Sequence, residues 1–137
     1  MEVRQPEEGA ARDPRLLRDL LERSCALSRQ HQVPTVVVGM AGPEGELLLP
    51  DLFRFLEGSL RVEDAIFRLT RERAVLFLAD VDEAGARRVV DRLVRGFEEH
   101  FPSARPPDLQ LGFYEVPPSC GELRLKDVLP VVFPAAD

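Results

Sequence analysis

The sequence predicts an α+β domain: a ferredoxin-like β-α-β-β-α-β core with an extra N-terminal helix, its antiparallel sheet carrying helices packed on it. Three observations lead there. Segments with helical apolar period alternate with short β-branched runs. Two of those runs lie four residues apart, the spacing of a hairpin. After the first helix the order reads strand–helix–strand–strand–helix–strand, the split-βαβ arrangement. The chain has 137 residues, of which 45% are hydrophobic, enough for one domain with its own core.

Asp13-Pro14 is a helix start, an acidic cap followed by a proline whose missing N–H is harmless in the first turn. Leu16, Leu17, Leu20, Leu21 and Leu27 recur at helical spacing, and Pro34 ends the helix by about Gln32. Thr35-Val36-Val37-Val38 is a strand buried on both faces. Gly39 to Gly45 reads as loop, and Asp51 to Leu60 as a short helix with Leu52, Phe53, Leu56 and Leu60 inward. Strands at Asp64–Leu69 and Ala74–Leu78 flank Thr70-Arg71-Glu72-Arg73. Asp82 caps a helix over Glu83–Glu99 with an apolar stripe from Ala86 to Phe97. Leu109–Val116 is the last strand, stopped by Pro117-Pro118. Beyond it lie a weak strand or turn at Glu122–Leu125 and a terminal Val131-Val132-Phe133 that must pack somewhere. The organisation is a flexible segment over residues 1–12, a domain over 13–116, and an extension over 117–137 that packs on or beside it.

Composition narrows the function. With 18 basic and 24 acidic side chains the formal charge is −6, so duplex nucleic acid is not an expected partner. No apolar run approaches the ~20 residues of a membrane span, and no basic-then-apolar leader opens the chain. The two cysteines, Cys25 and Cys120, form no Cys-x-x-Cys pair and are expected to be reduced thiols in a cytoplasmic protein, Cys25 buried on its helix. His31 and His100 lack partners at metal-ligand spacing. No serine sits in a Gly-x-Ser-x-Gly elbow, and the Gly39–Gly45 loop lacks the Lys-Ser/Thr of a P-loop. No metal or cofactor is expected.

One stretch carries a family resemblance. Arg61-Val62-Glu63-Asp64, then Ala65–Leu69, then Thr70-Arg71-Glu72-Arg73-Ala74, an apolar strand, Asp80 and Asp82 resemble, without a gap, the R-x-x-D, five-residue spacer and GGDEF signature of the diguanylate cyclase-like (GGDEF) family. The resemblance extends over about residues 14–116 and implies the nucleotide-cyclase-like version of the core. It also implies what has been lost. Active relatives join two GTP molecules with metal ions held by an aspartate after the first strand and by the acidic signature turn. Here Ala41-Gly42-Pro43 follow the first strand, Thr70 and Arg71 replace the paired glycines, Glu72 alone keeps an acid, and Ala74 replaces the phenylalanine. The stretch between the first strand and Arg61 is also shorter than in the family, removing much of the guanine-binding loop and helix.

The resemblance therefore implies a catalytically inactive regulatory domain in bacterial signalling, not an enzyme, whose partner is another protein, a second copy in a homodimer, or both. An alternative is a cyclic di-GMP receptor. In the family, R-x-x-D is an inhibitory site for that nucleotide, and the alignment puts Arg61 and Asp64 there, with Arg92 on the following helix and Arg88 and Arg95 a turn to either side. Guanidinium forks grip phosphate and guanine edges bidentately, and the Asp64 carboxylate would accept from guanine N–H groups. Against this, Asp64 could cap the local turn while Arg61 pairs with a surface acid, and Lys126 is the one lysine among 18 basic residues, so arginines coincide cheaply. A second alternative is a nucleotide-processing enzyme of altered specificity. The Arg71-Glu72-Arg73 tip is a solvated turn or a docking knob.

Overall fold

The computed structural model describes residues 14–101 and 106–134. The Asp13 cap, the segment before it and part of the loop after Phe101 lie outside the described residues. Among the described residues eight elements follow one another: α1 (Pro14–His31), β1 (Thr35–Ala41), α2 (Leu49–Ser59), β2 (Ala65–Thr70), β3 (Arg73–Ala79), α3 (Glu83–His100), β4 (Gln110–Val116) and α4 (Leu125–Val132). The strands form one sheet in the order β2-β3-β1-β4, and every neighbouring pair is antiparallel. This is the expected α+β core with its extra N-terminal helix.

The central strands explain the layering. Along β1, Val36, Val38 and Met40 point to one face and Val37 to the other, and all four are buried; β3 alternates likewise through Leu76 and Leu78 against Val75 and Phe77. A strand buried on both faces needs cover on both. On the first face α2 supplies Leu49, Leu52, Phe53 and Leu56, and α3 supplies Ala86, Val90, Leu93 and Phe97. On the second, α1 supplies Leu17, Leu21 and Cys25, and α4 supplies Val128 and Val132. The sheet is thus the middle of three layers, whereas a bare split-βαβ core carries its helices on one side.

Local chemistry sets the boundaries. Pro34 and a left-handed Gln32 (φ 57°) end α1. Asp82 caps α3 through Oδ1, which accepts from the Gly85 N–H at 2.8 Å. The β2–β3 hairpin is tighter than expected: Thr70 pairs with Arg73, leaving only Arg71 and Glu72 in the turn, with a register irregularity between Arg68 and Thr70.

Three sequence expectations need correction. Gly39 does not begin a loop, because β1 runs on to Ala41. Its lack of a side chain serves packing: a Cβ there would lie 2.8 Å from the carbonyl carbon of Val132, and one on its cross-strand partner Gly112 would lie 2.7 Å from the same atom. The two glycines form a flat pad on which the end of α4 rests. Second, residues 122–124 are neither strand nor turn and lead into α4, a helix that tolerates Pro130 in its final turns. Third, the cysteines are not free thiols: Cys25 on α1 and Cys120 after β4 form a disulfide with Cα atoms 5.8 Å apart. Cysteine usage therefore gives no support to a reducing compartment. Among the described residues no helix is long and apolar enough to cross a membrane.

Replacing Gly112 by alanine pushes a methyl into the backbone of Val132, which cannot retreat without lifting α4. The expected cost is about 1–3 kcal/mol, read as a lowered urea midpoint; the same change at Gly58, where a Cβ meets nothing within 4 Å, is expected to stabilise slightly because Gly58 lies within a helix.

Candidate functional site

The candidate residues gather at two ends of the sheet. The first gathers the β2–β3 turn, the end of β1 and the start of β4, where the resemblance locates metal and triphosphate. The turn leans onto the loop after β1. The Gly42 N–H donates to the Glu72 carbonyl at 3.0 Å, and the Gly45 N–H donates to Glu72 Oε2 at 3.2 Å. Thr70 Oγ1 accepts from the Glu72 N–H at 3.2 Å. Neither Arg71 nor Glu72 has a positive φ, so this reversal is made without glycine and carries side chains where the family signature has none. Glu46, buried in the same loop, spans it: Oε2 accepts from Leu48 N–H at 3.1 Å and Oε1 from Asp108 N–H at 3.4 Å.

These residues do not fit a divalent cation. A hard ion needs several oxygen ligands converging on one point. Here Ala41 and Gly42 offer no side-chain oxygen, and the Glu72 carboxylate is turned to a backbone N–H. Among the described residues no group of three or more His, Cys, Asp or Glu could hold a metal. Arg73 stacks instead over Phe133, 5.5 Å from the ring centre, so the end of the C-terminal extension occupies this end of the sheet.

The second end holds the R-x-x-D residues. Arg61 and Asp64 flank a tight turn closed by Asp64 N–H to Arg61 carbonyl at 3.0 Å. The Arg61 guanidinium grips Asp64 through Nε (2.9 Å) and Nη2 (3.0 Å), and Nη2 also reaches the Ala79 carbonyl. Asp64 further accepts from the Arg61 N–H at 3.3 Å and the Ala79 N–H at 3.0 Å. The result is a clasp between the start of β2 and the end of β3. The Asp64 side chain is only 3% exposed, that of Arg61 48%. The hydrogen bond to Asp64 raises the Arg61 pKa above its ordinary value against partial desolvation, with the charges of Asp64, Glu63 and Asp80 adding to it.

Four donors engage the two oxygens of Asp64, so its carboxylate meets a guanine edge only by giving one up. Arg61 keeps an outward edge, Nη1, which lies 3.4 Å from exposed Glu63. Arg92 is exposed on α3 and makes no hydrogen bond or ion pair to Arg61 or Asp64. Arg88, one turn earlier on that face, folds back toward the start of α3, its Nη2 3.8 Å from where a Cβ on Gly85 would stand. Arg95 is tied to Asp91 at 3.1 Å. The structure thus brings Arg61 and Asp64 together directly, while Arg88 and Arg92 on α3 make no ion pair among the described residues.

No family model matches the chain, and no curated protein matches it. Solved structures do. PelD from Pseudomonas aeruginosa PAO1 superposes with a TM-score of 0.65 at 24% identity over 84% of this chain and 42% of that one; a structure of the same protein in complex with c-di-GMP gives 0.62 at 23%. The GGDEF domain of FimX from Pseudomonas aeruginosa gives 0.61 at 13% identity over 83% of this chain and 79% of that one. The active GGEEF domain of a diguanylate cyclase from Vibrio cholerae gives 0.59 at 15%, covering 74% of each. The chain therefore has the fold of a GGDEF-like domain, with a degenerate signature. It spans less than half the length of the PelD chains it matches.

Asp64→Ala removes the clasp's acceptor and leaves the Ala79 N–H without its partner. The expected loss is about 2–3 kcal/mol of stability, measured by urea unfolding. Arg61→Ala in the same background should add little, because both changes break one interaction.

Proposed function

We propose that this domain works by binding and not by cyclising GTP: a GGDEF-like regulatory domain whose partner is another protein or a second copy of itself. The observation that carries this is the state of the hairpin end. The glycine turn has become Thr70-Arg71, the retained acid Glu72 is spent on a backbone N–H, and Phe133 of the C-terminal extension stacks beside it on Arg73. A triphosphate brought there meets neither a cation site nor a bare backbone cradle. Incubation with GTP and Mg²⁺ or Mn²⁺ is expected to yield no cyclic or linear product by chromatography. A metal-dependent product would restore the reading of an enzyme with altered specificity. Sedimentation velocity across a concentration series is expected to show self-association if the partner is a second copy.

A second reading is favoured by the clasp. Asp64 fixes the Arg61 guanidinium with one edge outward, and α3 carries Arg92 and Arg88, which make no ion pair among the described residues. Such preset arginine forks suit the phosphates and guanine edges of cyclic di-GMP, and the PelD structure in complex with c-di-GMP shares the fold. In this reading Arg61 and Arg92 touch the ligand and Asp64 positions Arg61. Charge-assisted bonds of about 1.5–3 kcal/mol each make micromolar binding attainable. Calorimetry with cyclic di-GMP is expected to give a micromolar Kd that weakens at least about tenfold in Arg61→Ala and Arg92→Ala, each loss corresponding to about 1.4 kcal/mol. Absence of heat at tens of micromolar ligand ends this reading and leaves the first standing.

A further inference from the structure

Beside the disulfide, α1 and the segment leading into α4 enclose an open groove of about 660 Å³, lined by Cys25 but not by Cys120. Its charge runs against that of the chain. Arg18, Arg29, Arg124 and Lys126 face it, with Glu22 and Glu122 as the carboxylates on its wall among the described residues, in a protein of formal charge −6. Glu122 is matched by Arg124 at 3.8 Å. Arg29 is held in place by two neutral acceptors, the carbonyls of Cys120 at 2.7 Å and Gly121 at 3.2 Å, and makes no ion pair among the described residues. The same Nη1 lies 4.0 Å from Cys25 Sγ. A cation at that distance eases the departure of this sulfur as a thiolate once Cys120 has already left.

We infer that Cys25–Cys120 is an exchangeable disulfide served by this groove, which admits small thiols bearing carboxylate or sulfonate groups and directs them to Cys25. The groove's net positive charge gathers an anionic thiol. Its thiolate attacks Sγ of Cys25, the half-cystine that lines the groove, and Cys120 leaves. The S–S bond breaks, a mixed disulfide forms on Cys25, and Cys120 departs as a thiolate that takes a proton from water. A second thiol attacks the added sulfur, leaves as the symmetrical small disulfide, and frees Cys25 as a thiolate beside Arg29. Two small thiols supply the two electrons, and both protein sulfurs end reduced. The covalent tie between α1 and the turn before α4 is then gone, and the two are held together by non-covalent packing and the Arg29 hydrogen bonds alone.

The test is kinetic and uses the whole chain. Cleavage rates are measured with 2-mercaptoethanesulfonate (anionic), 2-mercaptoethanol (neutral) and cysteamine (cationic), on folded protein and on protein unfolded in urea, which supplies the intrinsic ratio of the three reagents. Relative to that ratio, the folded protein is expected to favour the sulfonate about tenfold over the neutral thiol, with cysteamine slowest. Added salt should erase the preference, as should Arg18→Glu with Lys126→Glu on the exposed walls. Mass mapping of the acid-quenched intermediate should place the mixed disulfide on Cys25. Equal ratios in folded and unfolded protein, a mixed disulfide on Cys120, or no cleavage without unfolding would each overturn the inference. The salt series on unaltered protein decides the matter even if the double variant does not fold. None of these outcomes depends on whether the domain binds cyclic di-GMP.

Discussion

The architecture depends on two strands, β1 and β3, that have no solvent face. Each is apolar on both sides, so neither the α2–α3 layer nor the α1–α4 layer alone could bury them. Exposing either face would uncover a row of valine, leucine and phenylalanine side chains, each contributing roughly 1.5–3 kcal/mol when buried. The four helices are in this sense fixed by the composition of two short segments. α4 meets the demand with unusually close backbone contact: Gly39 and Gly112, cross-strand partners, let the Val132 carbonyl settle onto the sheet itself. That contact carries Phe133 to the hairpin end of the molecule. Packing on one face and the chemistry of one end are therefore coupled.

Much of this was legible before any coordinates. The order of elements, the double burial of Thr35–Val38, the Asp82 cap and the hairpin follow from local rules of period, branching and capping that hold wherever such residues fall. What escaped were consequences of contacts distant in sequence. Gly39 reads as a loop residue because glycine is common in loops; only the approach of Val132, far along the chain, shows it to be a strand residue. α4 escaped because Pro130 breaks the local signal, although tertiary contacts outweigh propensity over eight residues. The disulfide escaped because two cysteines 95 positions apart carry no spacing signal, and pairing depends on how the fold brings them together.

The candidate sites divide the same way. Residue identity alone puts Thr70 and Arg71 where the family signature has glycines, and Ala41-Gly42-Pro43 after the first strand where it has an aspartate. It could not show that Glu72 turns inward to a loop N–H, or that Glu46 is buried in a polar role. Nor did R-x-x-D disclose how its two ends are used. Spacing placed Arg61 and Asp64 on one turn, but the partners at Ala79 come from another strand.

That clasp has an implication for how such motifs persist. Asp64 joins a turn to the far end of β3 and would be kept by selection for folding even in a lineage that never met a nucleotide. An arginine and an aspartate three apart at this point of the fold therefore testify first to the anchoring of two strands. Whatever recognition the pair performs is built on a brace that the molecule wants for its own sake, which makes the brace a durable foothold from which such recognition can be gained or regained.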